Sequence, residues 1–219
     1  MIDLSKYRII DLSYELIPGE RKIDGTYTHG TTWVDRPIEV QEFMAYGARM
    51  HFIQAQTHLG THCEAAYKYL DEGPDAARMP LEAYLGEAVF CDFSDRKGGE
   101  AITAEDFEKE GVKEGDGVLI RTDAELRGDL PHMTNESLDW LIDTRIKLLA
   151  SGGNLLYGAT YPDHIDAERK LLERGIPTID ALYNLAEIRK KRVFFIALPV
   201  KMQRVTASWT RAIALEEKD

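Results

Sequence analysis

The sequence has little cysteine, no long apolar run and a deficit of positive charge. Its two cysteines, Cys63 and Cys91, are too few for a disulfide framework. No apolar stretch approaches the roughly 18 residues of a membrane helix. The opening MIDLSKYRIIDL shows no basic region followed by an apolar core and a small-residue cleavage site. The expectation is a cytoplasmic protein with reduced thiols and no membrane partner. Lys and Arg total 27 against 38 Asp and Glu, a formal charge of −11. Phosphate binding needs a basic stripe, so nucleic acid is not expected as the main partner. An anionic membrane surface is disfavoured for the same reason. No repeat, low-complexity tract or Ser/Pro-rich linker divides the chain.

What is present is a globular composition of 219 residues, 44% hydrophobic and 30% charged. Such a chain buries on the order of 70% of its unfolded surface. A metal site in it would serve function rather than stability. Residues 1–219 read as one domain. Period-two patterning and β-branched runs predict strands over 7–16, 38–44, 49–57, 88–93, 117–121, 146–150, 176–179, 193–200 and 210–215. The run 193–200 is apolar throughout, as in a central strand. Helices are expected over 103–111, with Thr103 and Asp106 as its start and Gly111 as its stop, and over 134–141, 165–174 and 182–190. Residues 20–35 read as a long loop. Strands dominate the first half and alternate with helices in the second, so the fold class is α/β or α+β with a partly parallel sheet.

The segment His58-Leu59-Gly60-Thr61-His62-Cys63-Glu64 places three potential metal ligands in seven residues. Gly60 and Thr61 favour a turn over a helix between the histidines. A turn lets two imidazoles and one carboxylate converge on one cation, leaving positions open for water and substrate. The plain alternative is two histidines hydrogen-bonding at a tight turn. In an extended segment Cys63 points away from His62 and Glu64, which suits a small buried thiol better than a nucleophile. His51 lies on the strand face opposite His58. His29 and His132 have no ligand partners nearby in sequence. His164 shares a helix face with Glu168, four residues on.

The string HLGTHCEAAYK resembles the signature HxGTHxDxPxH of a metal-dependent "cyclase" family that includes bacterial kynurenine formamidases and isatin hydrolases. Ile10-Asp11-Leu12-Ser13 resembles the opening DLS strand of that family. IPTIDALYNL (176–185) resembles its late I-x-x-x-E-N-L-x-N-L segment, and SWTRAIAL (208–215) its closing S-P-x-R-x-x-A-x pattern. The resemblance spans nearly the whole chain in the same order. It implies a swivelling β/β/α fold with a mixed, partly barrel-like sheet and surrounding helices. It also implies a homodimer or homotetramer whose active sites borrow loops from a neighbour. The loop 20–35, with Tyr27 and Trp33, is the gating candidate.

Carried over residue by residue, His58 and His62 match the two histidines of the signature. Glu64 stands for its Asp, Ala66 for its Pro, and Lys68 for its third His. Glu168 and Asp180 stand where two-metal members carry a His and a Glu. The resemblance therefore implies His58, His62 and Glu64 as ligands of one divalent ion, Mn²⁺ or Zn²⁺, with a second metal in doubt. An unpaired buried lysine is costly, so Lys68 needs carboxylate partners, and Glu64, Glu168 and Asp180 supply them. Lys68, Glu168 and Asp180 are the catalytic candidates, and Thr61 and Trp33 the substrate-binding ones.

The expected activity is hydrolysis of an amide or lactam C–N bond in a small cyclic or N-acyl substrate by metal-activated water. Lys68 would serve as a donor to the oxyanion or the leaving group. A lactone hydrolase or cyclising dehydratase on the same scaffold would use the same metal-water chemistry. A non-catalytic small-molecule binder is the reading from another class, and the retention of both histidines argues against it.

Overall fold

The computed structural model describes residues 3–18, 38–124, 129–152 and 155–219. Trp33, Tyr27, His29 and the whole of the expected gating loop lie outside these residues. The strands are β1 (Tyr7–Asp11), β2 (Glu39–Ala45), β3 (Ala48–Gln54), β4 (His62–Glu64), β5 (Leu85–Asp92), β6 (Ala101–Ile102), β7 (Gly117–Arg121), β8 (His132–Met133), β9 (Leu148–Ser151), β10 (Thr178–Asp180), β11 (Arg192–Ile196), β12 (Ala207–Trp209) and β13 (Ile213–Glu217). The helices are α1 (Ala104–Glu110), α2 (Asn135–Asp143) and α3 (Tyr161–Glu173).

Nine strands form one mixed sheet in the order β1-β13-β11-β5-β7-β9-β10-β4-β12, curled into a half-barrel. Its centre, β5-β7-β9-β10, is parallel, and both flanks are antiparallel. This is the expected mixed, partly barrel-like α/β fold. Parallel strands are buried on both faces, which explains the largely apolar character of 117–121 and 146–150. In β7, Leu119 packs on one side of the sheet with Ile179, Cys63 and Phe195. Val118 and Ile120 pack on the other, under Phe107 of α1, Leu138 and Leu141 of α2 and Leu171 of α3. The alternation of side chains along a strand thus builds two cores from one sheet.

Several expectations need correction. The first strand, expected over 7–16, ends at Asp11. The strand over 49–57 ends at Gln54, and the chain reaches the first histidine as a loop. The run 193–200 forms β11 only to Ile196, and both its neighbours, β13 and β5, are antiparallel. The helix expected over 182–190 shrinks to one short helical turn, Leu185–Glu187. Ala181 and Asn184 take positive φ, and the amides of Leu182 and Tyr183 donate to the carbonyls of Ser151 and Leu12. Tertiary hydrogen bonds there replace the helical ones, and Asn is among the residues that tolerate the left-handed region.

Candidate metal centre

Strand register builds the site. β4 lies between β10 and β12, with His62 opposite Asp180 on one side and opposite Trp209 on the other. Directly opposed residues share a face, so His62 and Asp180 point the same way. Cys63 pairs with Ile179 and Ser208 and points into the core. Burial pushes its thiol up to about 12, so it is an inert packing group, as the alternation predicts. Gly60 (φ 60°) makes the turn that the sequence requires between the histidines.

The ring nitrogens are held in a way that suits metal binding. His62 Nδ1 donates to the Gly60 carbonyl at 2.8 Å, which leaves Nε2 facing Glu64 Oε1 at 3.3 Å. His58 Nε2 lies 3.0 Å from the Thr206 hydroxyl, and its Nδ1 lies 2.8 Å from Glu64 Oε1. A ligating histidine commonly commits its other nitrogen to a carbonyl or polar group, which fixes ring and tautomer. Both histidines do so here. Ligand atoms of His58, His62 and Glu64 all lie within 4.8 Å of one another. Glu64 is 1% exposed, and its Oε2 finds no hydrogen-bond partner among the described residues. A buried carboxylate oxygen without a partner is costly, and a cation is the group that would satisfy it. The donor set of two imidazoles and a carboxylate therefore fits a divalent metal ion.

Lys68 follows β4 in the short helical turn Ala66–Lys68. Its Nζ donates to Glu64 Oε1 at 2.9 Å and to Glu168 Oε1 and Oε2 at 2.8 and 2.9 Å. Lys68 thus bridges the two carboxylates, with the two oxygens of Glu168 close enough together to share one of its three protons. Glu168 belongs to the buried stripe of α3 with Ala167, Leu171 and Leu172 and is 2% exposed. Despite the charged sequence of that helix, it is not a solvated surface residue. The Tyr69 hydroxyl also donates to Glu168, at 2.5 Å. Burial works against the charge on Lys68, but Glu64 and Glu168 outweigh it and hold the pKa above the ordinary lysine value. Burial works against the charged Glu64 likewise, but His58, His62 and Lys68 hold its pKa well below the usual carboxylate range.

Asp180 completes the cluster at 3.9 Å from His62 Nε2, and its Oδ1 accepts from the Tyr157 hydroxyl at 3.3 Å. Burial, with Glu168 and Glu64 adding repulsion, raises its pKa. Ligand atoms of Glu64, Glu168 and Asp180 also lie within 4.8 Å of one another. Thr61 sits beside the site, buried, with its hydroxyl accepting from the Tyr14 amide at 2.9 Å and donating to the Ala181 carbonyl at 2.6 Å. In this geometry it ties three segments together. His164 accepts the Tyr157 amide on Nδ1 and stacks between Tyr157 and Tyr161. Burial lowers its pKa. His51 is exposed on β3, away from the cluster. Thr206, Tyr69 and Tyr157 are site residues that sequence reasoning missed, and no local signal marks them.

A Kynurenine formamidase of Erythrobacter litoralis is 28% identical over 225 aligned positions, covering 98% of this chain and 97% of that protein. One from Salinibacter ruber is 26% identical over 226 positions, covering 96% and 99%. Among solved structures, isatin hydrolase A from Labrenzia aggregata, bound to benzyl benzoate, superposes with a TM-score of 0.78 at 24% identity, covering 98% of this chain and 95% of that one. The sequence pattern of the Cyclase family matches residues 10–152, a span that includes both histidines, Glu64 and Lys68. By that match over more than half its length, the chain belongs to the Cyclase family.

Proposed function

We propose that this protein is a metal-dependent hydrolase that cleaves the C–N bond of a small N-acyl or lactam substrate. The observation that carries the reading is the convergence of His58, His62 and Glu64, with the second oxygen of that buried carboxylate left unsatisfied among the described residues. The relatives named kynurenine formamidase and isatin hydrolase support the choice of an amide or lactam over other carbonyl substrates.

His58, His62 and Glu64 would hold one divalent ion. When bound, such an ion brings the pKa of a water toward neutrality and polarises a carbonyl. Asp180, with Oδ2 3.9 Å from His62 Nε2, has the position to take a proton from the attacking water. As the C–N bond breaks, that proton passes to the leaving nitrogen. The Tyr157 hydroxyl fixes Asp180 through Oδ1 and leaves Oδ2 on the side of His62. Lys68 holds the carboxylates of Glu64 and Glu168 in place. Held between Glu64 and Glu168, it compensates their charge, and a proton not used by these two carboxylates is available to a developing oxyanion or the leaving group.

The test is a panel of an N-formyl aromatic amine, isatin and an aromatic lactone, run with Mn²⁺ and with Zn²⁺. Turnover of the formamide or isatin, with Asp180→Asn slower by about 10²-fold or more, is expected. Turnover of the lactone alone would move the reading to ester chemistry, and turnover of none with no metal bound would leave a binding protein.

A further inference from the structure

The second acidic cluster is the feature that a one-metal site leaves unexplained. Glu64, Glu168 and Asp180 bring ligand atoms within 4.8 Å of one another, an arrangement able to hold a cation of its own. Glu64 Oε2 is buried without a partner among the described residues, so one oxygen of the cluster is left unsatisfied. The cation that is present is Lys68, whose Nζ lies 2.8–2.9 Å from Glu64 and from both oxygens of Glu168. Charge counting then limits what else can enter. Three carboxylates against one ammonium leave two negative charges. One divalent ion on His58, His62 and Glu64 brings the cluster to neutrality. A second would leave two uncompensated positive charges in a largely buried site with the ammonium in place, and one with the ammonium displaced from those oxygens.

We infer that Lys68 is a built-in second cation: it takes the Glu64 and Glu168 positions of the Glu64–Glu168–Asp180 site, limits the protein to one metal ion per chain, and its removal opens that site to a second. The inference rests on the metal-site reading above, since Glu64 is shared between the two clusters. Lys68 acts through the carboxylates and is a positioning residue. Its side chain is 23% exposed against 2% for Glu64 and Glu168, so the site has an opening through which an ion could arrive once the ammonium is gone.

The test is metal stoichiometry after saturation with Zn²⁺ alone, or Mn²⁺ alone, and removal of free ion. Wild type, Lys68→Ala, Lys68→His and Lys68→Ala/Glu168→Ala are compared after circular dichroism confirms the fold. Expected are one equivalent for wild type, two for Lys68→Ala, two for Lys68→His, and one again for the double variant. Lys68→His keeps a side chain of useful volume and offers a neutral ligand, so it decides the matter if Lys68→Ala does not fold. Two equivalents in wild type would overturn the inference while leaving the metal site standing. So would one equivalent in a folded Lys68→Ala or Lys68→His protein. Zero equivalents in wild type would overturn the metal site itself, and the inference with it.

Discussion

Thr206 stands 148 residues beyond His58, yet its hydroxyl meets His58 Nε2 at 3.0 Å. It does for His58 what the Gly60 carbonyl does for His62. Thr206→Ala should therefore weaken metal affinity by about 10–100-fold, and His62→Ala by more, as read by competition with a chelating dye. Equal affinity in Thr206→Ala and wild type would remove Thr206 from the site. At this scale the sequence was most informative where partners are close along the chain. His58, His62 and Glu64 sit within one turn and one short strand. The need of Lys68 for carboxylates was also legible, because a lysine beside a metal site has few physical solutions. Thr206, Tyr69 and Tyr157 were not, since hydroxyls are common and only packing shows which ones face the cluster. Glu168 was ambiguous for a related reason: its burial depends on the side of α3 that meets the sheet.

Elements show the same division between local and distant causes. α1 follows its sequence closely: Thr103 accepts the Asp106 amide, Asp106 answers the Thr103 amide, and Gly111 (φ 80°) closes the helix. Thr103→Ala should cost about 1 kcal/mol in chemical denaturation. The stretch 182–190 fails the same logic because amides of Leu182 and Tyr183 are claimed by Ser151 and Leu12. β13 depends on a buried carboxylate. Glu216 accepts the amides of Arg189 and Lys190 and pairs with Arg8 of β1. Burial alone would raise its pKa, but these partners outweigh burial and hold it below the ordinary 4.5. A depressed folded-state pKa means stability that is complete above the unfolded value and is lost as pH falls through the folded one. Glu216→Gln should thus be less stable than wild type by about 1–3 kcal/mol at pH 7, with the gap shrinking as pH drops below about 4. A gap independent of pH would contradict the ionised pairing.

For the molecule as a whole, the β2–β3 hairpin is an exposed surface rich in large apolar side chains. Every residue of β3 and all but Ala45 of β2 are exposed. Register puts Phe43, Met50 and Phe52 on one face, and Val40, Met44 and Ile53 on the other, around the Glu42–Arg49 pair. A two-stranded hairpin is marginal in water by itself. A second copy of the chain is the expected cover, in line with the homodimer or homotetramer that the family resemblance implies. Light scattering should show a mass above one chain, reduced by Phe43→Ser/Phe52→Ser, and a monomer at micromolar concentration would contradict it. The sheet around which this is arranged was legible as strands and as a partly parallel core. Its order was not, because β4 and β12, three residues each, carry too little pattern to reveal their place beside β10. No helix among the described residues is long and apolar enough to cross a membrane.

The central claim is that the HLGTHCE segment holds a metal that the reaction requires. It is tested most directly by assaying formamide or lactam hydrolysis before chelation, after chelation, and after return of Mn²⁺ or Zn²⁺, with His62→Ala alongside. The account predicts activity lost on chelation, restored by one equivalent of metal per chain, and absent from a folded His62→Ala protein. Full activity in the metal-free enzyme or in His62→Ala would contradict it.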